Sequence, residues 1–162
     1  PGTNRRRCDD RLAMDQFFGV DLLRIISLLL VNLFALANGL GKLAQFLDGS
    51  KQYSLHFAAD ELPPTLDNGF WSLTMYGLDF QLVENSIDRF SIGDRTPGLK
   101  YNDDGSLDVY IQSTPPEGRE SNWLPSPPEG IFRVNYRIYL PQEQTRNPKT
   151  LEKYIPGIQS NQ

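Results

Sequence analysis

The sequence predicts an all-β domain, a sandwich or jelly-roll-like stack of antiparallel strands, preceded by a long apolar α-helix. Two observations carry the β reading. Apolar and polar residues alternate with period two in several short runs, and clusters of Gly, Pro, Asn and Asp punctuate the chain between them. A third sets the helix apart: from Phe17 to Leu47, Leu, Ile, Val, Phe and Ala follow one another without proline and without alternation. The chain has 162 residues. It divides into residues 1–47, a tail and apolar helix; 48–144, the β-sandwich domain; and 145–162, a polar tail laid over the surface or onto a neighbour.

In the first segment Asp15 or Asp21 supplies an N-cap, and Asn38, Gly39 and Gly41 mark a loosened far end. Polar residues at helical spacing run Asp21, Arg24, Ser27, then only Val31 and Ala35 before Asn38, Lys42 and Gln45. The middle turns therefore have no wet face. The uncharged stretch from Ile25 to Gly41 makes roughly 25 Å of helix, against a hydrocarbon layer about 30 Å thick. If Lys42 snorkels, the apolar stretch reaches Leu47 and is long enough to cross.

Three readings stay open for this segment: a helix in or on a membrane, a helix packed on this domain or on a partner, and a targeting remnant. In the last, Arg5, Arg6 and Arg7 form the basic region and Ala35-Leu36-Ala37 the cleavage site. The first reading makes the chain membrane-associated, in an organelle or the periplasm. Its partners would be the membrane or membrane-protein subunits, met through Ile25 to Leu47.

The β elements follow in order. After the turn Asp48-Gly49-Ser50, the run from Lys51 to Ala58 sets Tyr53, Leu55 and Phe57 against Gln52, Ser54 and His56. Past Pro63-Pro64 and Asp67-Asn68-Gly69, the run from Phe70 to Tyr76 sets Trp71, Leu73 and Met75 against Ser72, Thr74 and Tyr76. Phe80 to Val83 is its expected hairpin partner across a Gly77 to Asp79 turn. Asn102-Asp103-Asp104-Gly105 is a hairpin signal ahead of the strand from Leu107 to Ser113. The cleanest alternation runs from Ile131 to Leu140. Phe132, Val134, Tyr136, Ile138 and Leu140 are expected inward, and Arg133, Asn135, Arg137 and Tyr139 outward. Proline-rich loops such as Pro115-Pro116 and Pro125-Ser126-Pro127-Pro128 sit where strands cannot. With no amphipathic helix among these strands, a sandwich is favoured over βαβ units.

Composition excludes several functions. A net charge of −4 and a pI near 5.0 give no basic field for nucleic acid. Cys8 and His56 are the only residues of their kinds, so zinc has too few ligands. No Walker loop, G-x-G-x-x-G, G-x-S-x-G or H-E-x-x-H occurs, and no cofactor is expected. Asn102, Asp104, Ser106 and Asp108 alternate like the oxygens of a Ca²⁺ loop. Gly105 is at the wrong offset and no distal Glu closes it, so a turn is preferred to a metal site.

Candidate ligand-binding residues are Arg89, Asp94, Arg95, Lys100 and Tyr101, with Tyr110 from a strand and Asn122 and Trp123 from a later loop. Arginine forks beside aromatic planes suit carboxylate, phosphate or sugar ligands. The structural alternative, which is preferred, has Asp94 and Arg95 pinning a long loop while Trp123 plugs the sandwich end. His56, on a polar strand face with no nucleophile near it in sequence, reads as a surface histidine rather than a base.

Several stretches resemble a known family: DGSKQYSLHF (Asp48 to Phe57), ELPP and FWSLTMY through Tyr76, LVENSIDRFSIGDRTPGLKYNDDGSLDVYIQ (Leu82 to Gln112), SNWLPSP (Ser121 to Pro127) and FRVNYRIYLP (Phe132 to Pro141). Together and in this order they resemble the domain of unknown function 1214, often joined to one numbered 1254. The resemblance implies a jelly-roll-like antiparallel fold and assigns no chemistry. Members of the family carry an extended segment before the DGS turn. Here the apolar run leads straight into Asp48, which implies a missing first strand and an open sheet edge. The helix-plus-module arrangement is similar to short membrane-anchored members.

The expected function is therefore a non-catalytic accessory or scaffold protein, anchored by its helix to a membrane or a larger membrane complex. One alternative is a carbohydrate or anionic small-molecule binding module using Arg95, Tyr110 and Trp123. Another is a hydrolase using Asp88, Asp94 or Asp108, with Arg95 stabilising charge.

Overall fold

A computed structural model describes residues 46–161 of the chain. Period-two alternation produces the half-buried strands. The first strand is short, β1 (Leu47–Asp48), and β2 (Gln52–Phe57) follows with Tyr53, Leu55 and Phe57 buried and Gln52 and His56 exposed. Between them Asp48 Oδ1 accepts from the Ser50 amide and hydroxyl, at 2.9 and 2.8 Å, which fixes the turn. Next come β3 (Thr65–Gly77), β4 (Ser91–Gly93), β5 (Leu107–Gln112), β6 (Trp123–Pro125) and β7 (Ile131–Pro141). Two short helices, α1 (Glu143–Arg146) and α2 (Pro148–Leu151), lead to β8 (Ile158–Asn161).

These strands form two four-stranded sheets. Sheet A has the order β1-β7-β3-β4 and sheet B the order β6-β5-β2-β8. Their inner faces meet in one apolar core. Sheet A contributes Leu47, Trp71, Leu73, Met75, Ile92, Phe132 and Val134; sheet B contributes Tyr53, Leu55, Phe57, Leu107, Val109, Ile111 and Leu124. Ring contacts join the layers: Tyr53 meets Phe132 edge-on at 6.3 Å, and Phe57 lies 5.0 Å from Trp71. This is the β-sandwich expected from the alternation.

Several details correct the sequence reading. Leu47 belongs to β1, buried and paired with Phe132, so no helix reaches it; the remainder of the helix expected over residues 17–47, up to residue 45, lies outside the described residues. Among the described residues no helix is long and apolar enough to cross a membrane. The short strand β1 lies at the edge of sheet A, beside β7. The sandwich is not wholly antiparallel, because β6 runs parallel to β5 after a loop that returns through a 3-10 turn at Glu120–Asn122.

The partner of β3 is not Phe80 to Val83, which gives a single bridge from Leu82 to Tyr76. There the Asp79 carboxylate accepts from the Gln81 amide and Phe80 turns to positive φ, closing a tight turn. The longer β7 takes the ladder instead. The Asn102 to Gly105 turn leads into β5, but β5 pairs with β2 rather than with the segment before the turn. Leu140, expected inward, is exposed at positive φ. The polar C-terminal tail supplies β8, which covers the edge of β2 from Gln52 to Leu55.

Candidate functional site

The loops between β3 and β6 bring Arg89, Lys100, Asn122 and Trp123 to one place, and there each of these four side chains has a hydrogen-bond partner. Arg89 Nη1 donates to the carbonyls of Glu120 and Trp123, both at 2.8 Å. Lys100 Nζ donates to the Gly118 carbonyl at 2.7 Å. Asn122 is fully buried; its Oδ1 accepts from the Lys100 amide, and its Nδ2 donates to the carbonyls of Lys100 and Asp108. Trp123 is buried, with Nε1 donating to the Gln112 carbonyl at 2.7 Å. Arg119, which the sequence reading missed, donates to the Lys100 carbonyl and to Asn102 Oδ1. Its position in a Pro- and Gly-flanked loop gave no periodic signal.

Asp94 and Arg95 lie against β3 instead. Asp94 Oδ1 accepts from the Trp71 amide at 3.3 Å, and Arg95 Nη2 donates to the Asn68 carbonyl at 2.7 Å. Partial desolvation pushes the carboxyl of the surface residue Asp94 above its ordinary value, against the opposing pull of the Trp71 amide and the Arg95 charge. Burial, followed by the Asp94 charge, likewise raises the phenols of Tyr101 and Tyr136. Tyr136 Oη is enclosed without a hydrogen-bond partner among the described residues. Tyr110 on β5 and Trp123 on β6 are register partners in sheet B, whereas Arg95 lies over Phe70 on β3 of sheet A.

On the outer side of sheet B, His56 and Asp108 are cross-strand partners, with Nδ1 and Oδ1 2.6 Å apart. Asn102 Nδ2 donates to the other Asp108 oxygen at 2.8 Å, and Arg119 in turn donates to Asn102. Burial raises the Asp108 pKa, but hydrogen bonds from Asn102 and His56 and the charges of His56 and Arg119 outweigh it. The carboxyl is held below its ordinary value. In the adjoining turn Asp104 Oδ1 accepts from the Ser106 amide and hydroxyl. Among the described residues no group of three or more His, Cys, Asp or Glu is placed to hold a metal. Both His56 and Asp108 were visible as outward residues; what the sequence lacked was the register that sets them opposite each other.

The outer face of sheet A carries a second set. Arg133 lies 4.1 Å from the Phe80 ring centroid and 5.9 Å from that of Tyr76, and Arg137 lies 5.4 Å from the same Tyr76 centroid. Arg95 lies 4.4 Å above Phe70, which is stacked on Tyr139 at 4.3 Å.

Comparison with known proteins places this arrangement in a family. The family model described as protein of unknown function DUF1214 matches residues 38–143. The crystal structure of the VPA0106 protein from Vibrio parahaemolyticus is similar, with 30% identity and a TM-score of 0.56 over 72% of this chain. The match takes in 27% of that protein, so the chain spans well under half of its length. No curated protein matches. From the DGS turn through the last long strand, the chain belongs to the DUF1214 family.

Proposed function

We propose that this module is a non-catalytic accessory domain, acting by docking rather than by turnover. The observation that supports this reading is the use made of the side chains gathered at the loop end. Arg89, Lys100, Asn122 and Trp123 are spent on backbone groups of neighbouring loops, as fasteners would be. Attachment to a membrane or membrane complex is part of the proposal and rests on the apolar run from Ile25 onward.

The docking part is tested by incubating the full chain with generic ester, phosphate and glycoside substrates. No turnover above the buffer rate is expected; turnover lost in Asp94→Asn would overturn it. The attachment is tested by flotation with liposomes. The full chain is expected to float, and Leu29→Asp with Leu33→Asp to stay at the bottom; a full chain that stays at the bottom sinks the anchor.

One observation favours a second reading, a hydrolase. Asp108 holds His56 by Nδ1, which leaves Nε2 of a half-exposed imidazole to take up a proton from water. Turnover in the same screen that disappears in His56→Gln selects this reading over the first.

A further inference from the structure

The outer face of sheet A has a composition that its own fold does not use. In register across the sheet, Tyr76 lies opposite Arg133, Thr74 opposite Asn135, Ser72 opposite Arg137 and Phe70 opposite Tyr139. On the other side of β3, Ser91 lies opposite Thr74. These rows contain no acidic residue and no lysine. The ion pairs among the described residues join His56 to Asp108, Arg146 to Glu143 and Lys153 to Asp60, and none reaches this face.

Two guanidiniums, those of Arg133 and Arg137, converge on the ring of Tyr76, both carbons within 5.9 Å of its centroid. Like charges brought together without a counter-ion raise the local potential and complement an anion. Arg133 Nε is moreover enclosed without an acceptor among the described residues. We infer that this face binds an oligosaccharide whose sugars carry carboxylates.

Three features select that chemistry. A guanidinium stacked on a ring keeps its fork of N–H donors at its edge, and a carboxylate accepts such a fork with two oxygens. The rings themselves are taken: Arg95 and Tyr139 cover the Phe70 ring, Arg133 lies over Phe80, and two arginines crowd Tyr76. Stacking of a neutral sugar is therefore not what the face offers. Between the charges, the side chains of Ser72, Thr74, Ser91 and Asn135 make no hydrogen bonds to the described residues; Ser91 is exposed and the other three are half-buried, an arrangement suited to sugar hydroxyls.

A protein partner would call for an apolar centre with a polar rim. Here the order is reversed, with Leu78 and Phe80 exposed beyond one end, Leu140 beyond the other, and hydroxyls and a carboxamide in the middle. The arginines are spread along β3 and β7 rather than gathered into one pocket, with Arg95 over Phe70, the row beyond Arg137. A chain of sugars fits such a strip better than a single small ion.

The test is isothermal titration of the full chain with hexameric oligogalacturonate, against neutral cellohexaose and inorganic phosphate. Oligogalacturonate is expected to bind and to weaken as salt is added, while cellohexaose gives no heat. Arg137 makes no hydrogen bond to the described residues, so Arg137→Gln is expected to melt like the parent and to bind about tenfold more weakly. Arg137→Lys keeps the charge without the fork and is expected to fall between them. Ser72→Ala combined with Asn135→Ala is expected to weaken binding severalfold.

No binding of oligogalacturonate, equal binding by Arg137→Gln, or equal binding of cellohexaose overturns the inference. Displacement by phosphate at matching concentration makes this a general anion site and overturns the saccharide assignment. None of these outcomes bears on the accessory reading above, which rests on the loop fasteners.

Discussion

The carboxamide of Asn122 pairs with the backbone of Lys100 as an adjoining strand would. Its oxygen accepts from the Lys100 amide at 2.8 Å and its nitrogen donates to the Lys100 carbonyl at 2.7 Å. A third bond, to the Asp108 carbonyl, ties both to β5. One fully buried side chain thus replaces a stretch of ladder that the irregular loop cannot make for itself. Asn122→Ala would leave all three backbone groups without these partners. A loss of about 3 kcal/mol is expected from such unsatisfied groups, read as a lower urea midpoint at unchanged slope.

Asp94 is an acid whose ionisation opposes folding. Partial desolvation raises its folded pKa above the ordinary 3.8, so its contribution to stability is complete below that value and is lost as pH rises through the folded pKa. Asp94→Asn keeps an oxygen for the Trp71 amide and removes the charge. The variant is expected to be more stable than the parent at pH 7 and to lose that advantage in acid. Paired urea melts at the two pH values decide it.

Asp108 behaves in the opposite sense. Its folded pKa is depressed despite burial, so its contribution is present above 3.8 and is lost as pH falls through the lower folded value. Asp108→Asn is expected to cost about 1 kcal/mol at neutral pH, after allowing for solvent screening of a partly exposed carboxylate. The gap between parent and variant should close in acid, below the ordinary aspartate range. A gap that persists there would assign the effect to shape rather than charge.

Gly93 faces Ser72 where β4 meets β3, and a Cβ at this position would stand 2.1 Å from the Trp71 carbonyl oxygen. That neighbour is backbone in the middle of a ladder and has no room to give. Gly93→Ala is expected to destabilise by at least about 2 kcal/mol. Hydrogen exchange should report the loss first at the amides of β4.

What the sequence made legible was what alternation encodes. The runs around Tyr53-Leu55-Phe57, Trp71-Leu73-Met75 and Leu107-Val109-Ile111 each place their own side chains, and all nine are buried. Short strands were not legible: two or three residues, as in Leu47–Asp48, Ser91–Gly93 and Trp123–Pro125, are too few for a period to appear. Nor was β8, whose Gln-Ser-Asn composition looks like a tail and becomes a strand only because β2 leaves an edge to fill.

The candidate site divides the same way. Arg89, Lys100, Asn122 and Trp123 were named together because their loops are rich in chemistry-bearing residues, and they do meet. Pairing His56 with Asp108, or aligning Arg133 and Arg137 around Tyr76, required strand register, which depends on partners distant in sequence.

The order of strands also governs when this protein can begin to fold. β2 is bounded by β8, and Ser54 reaches Asn161 across 107 residues of chain; β1 waits for β7 in the same manner. On the ribosome, neither layer can be finished until its last ribbon has left the exit tunnel. The apolar faces of β2 and β3 are therefore synthesised well before their cover. A chain wired in this way folds slowly for its size and depends on being kept from its neighbours while it waits.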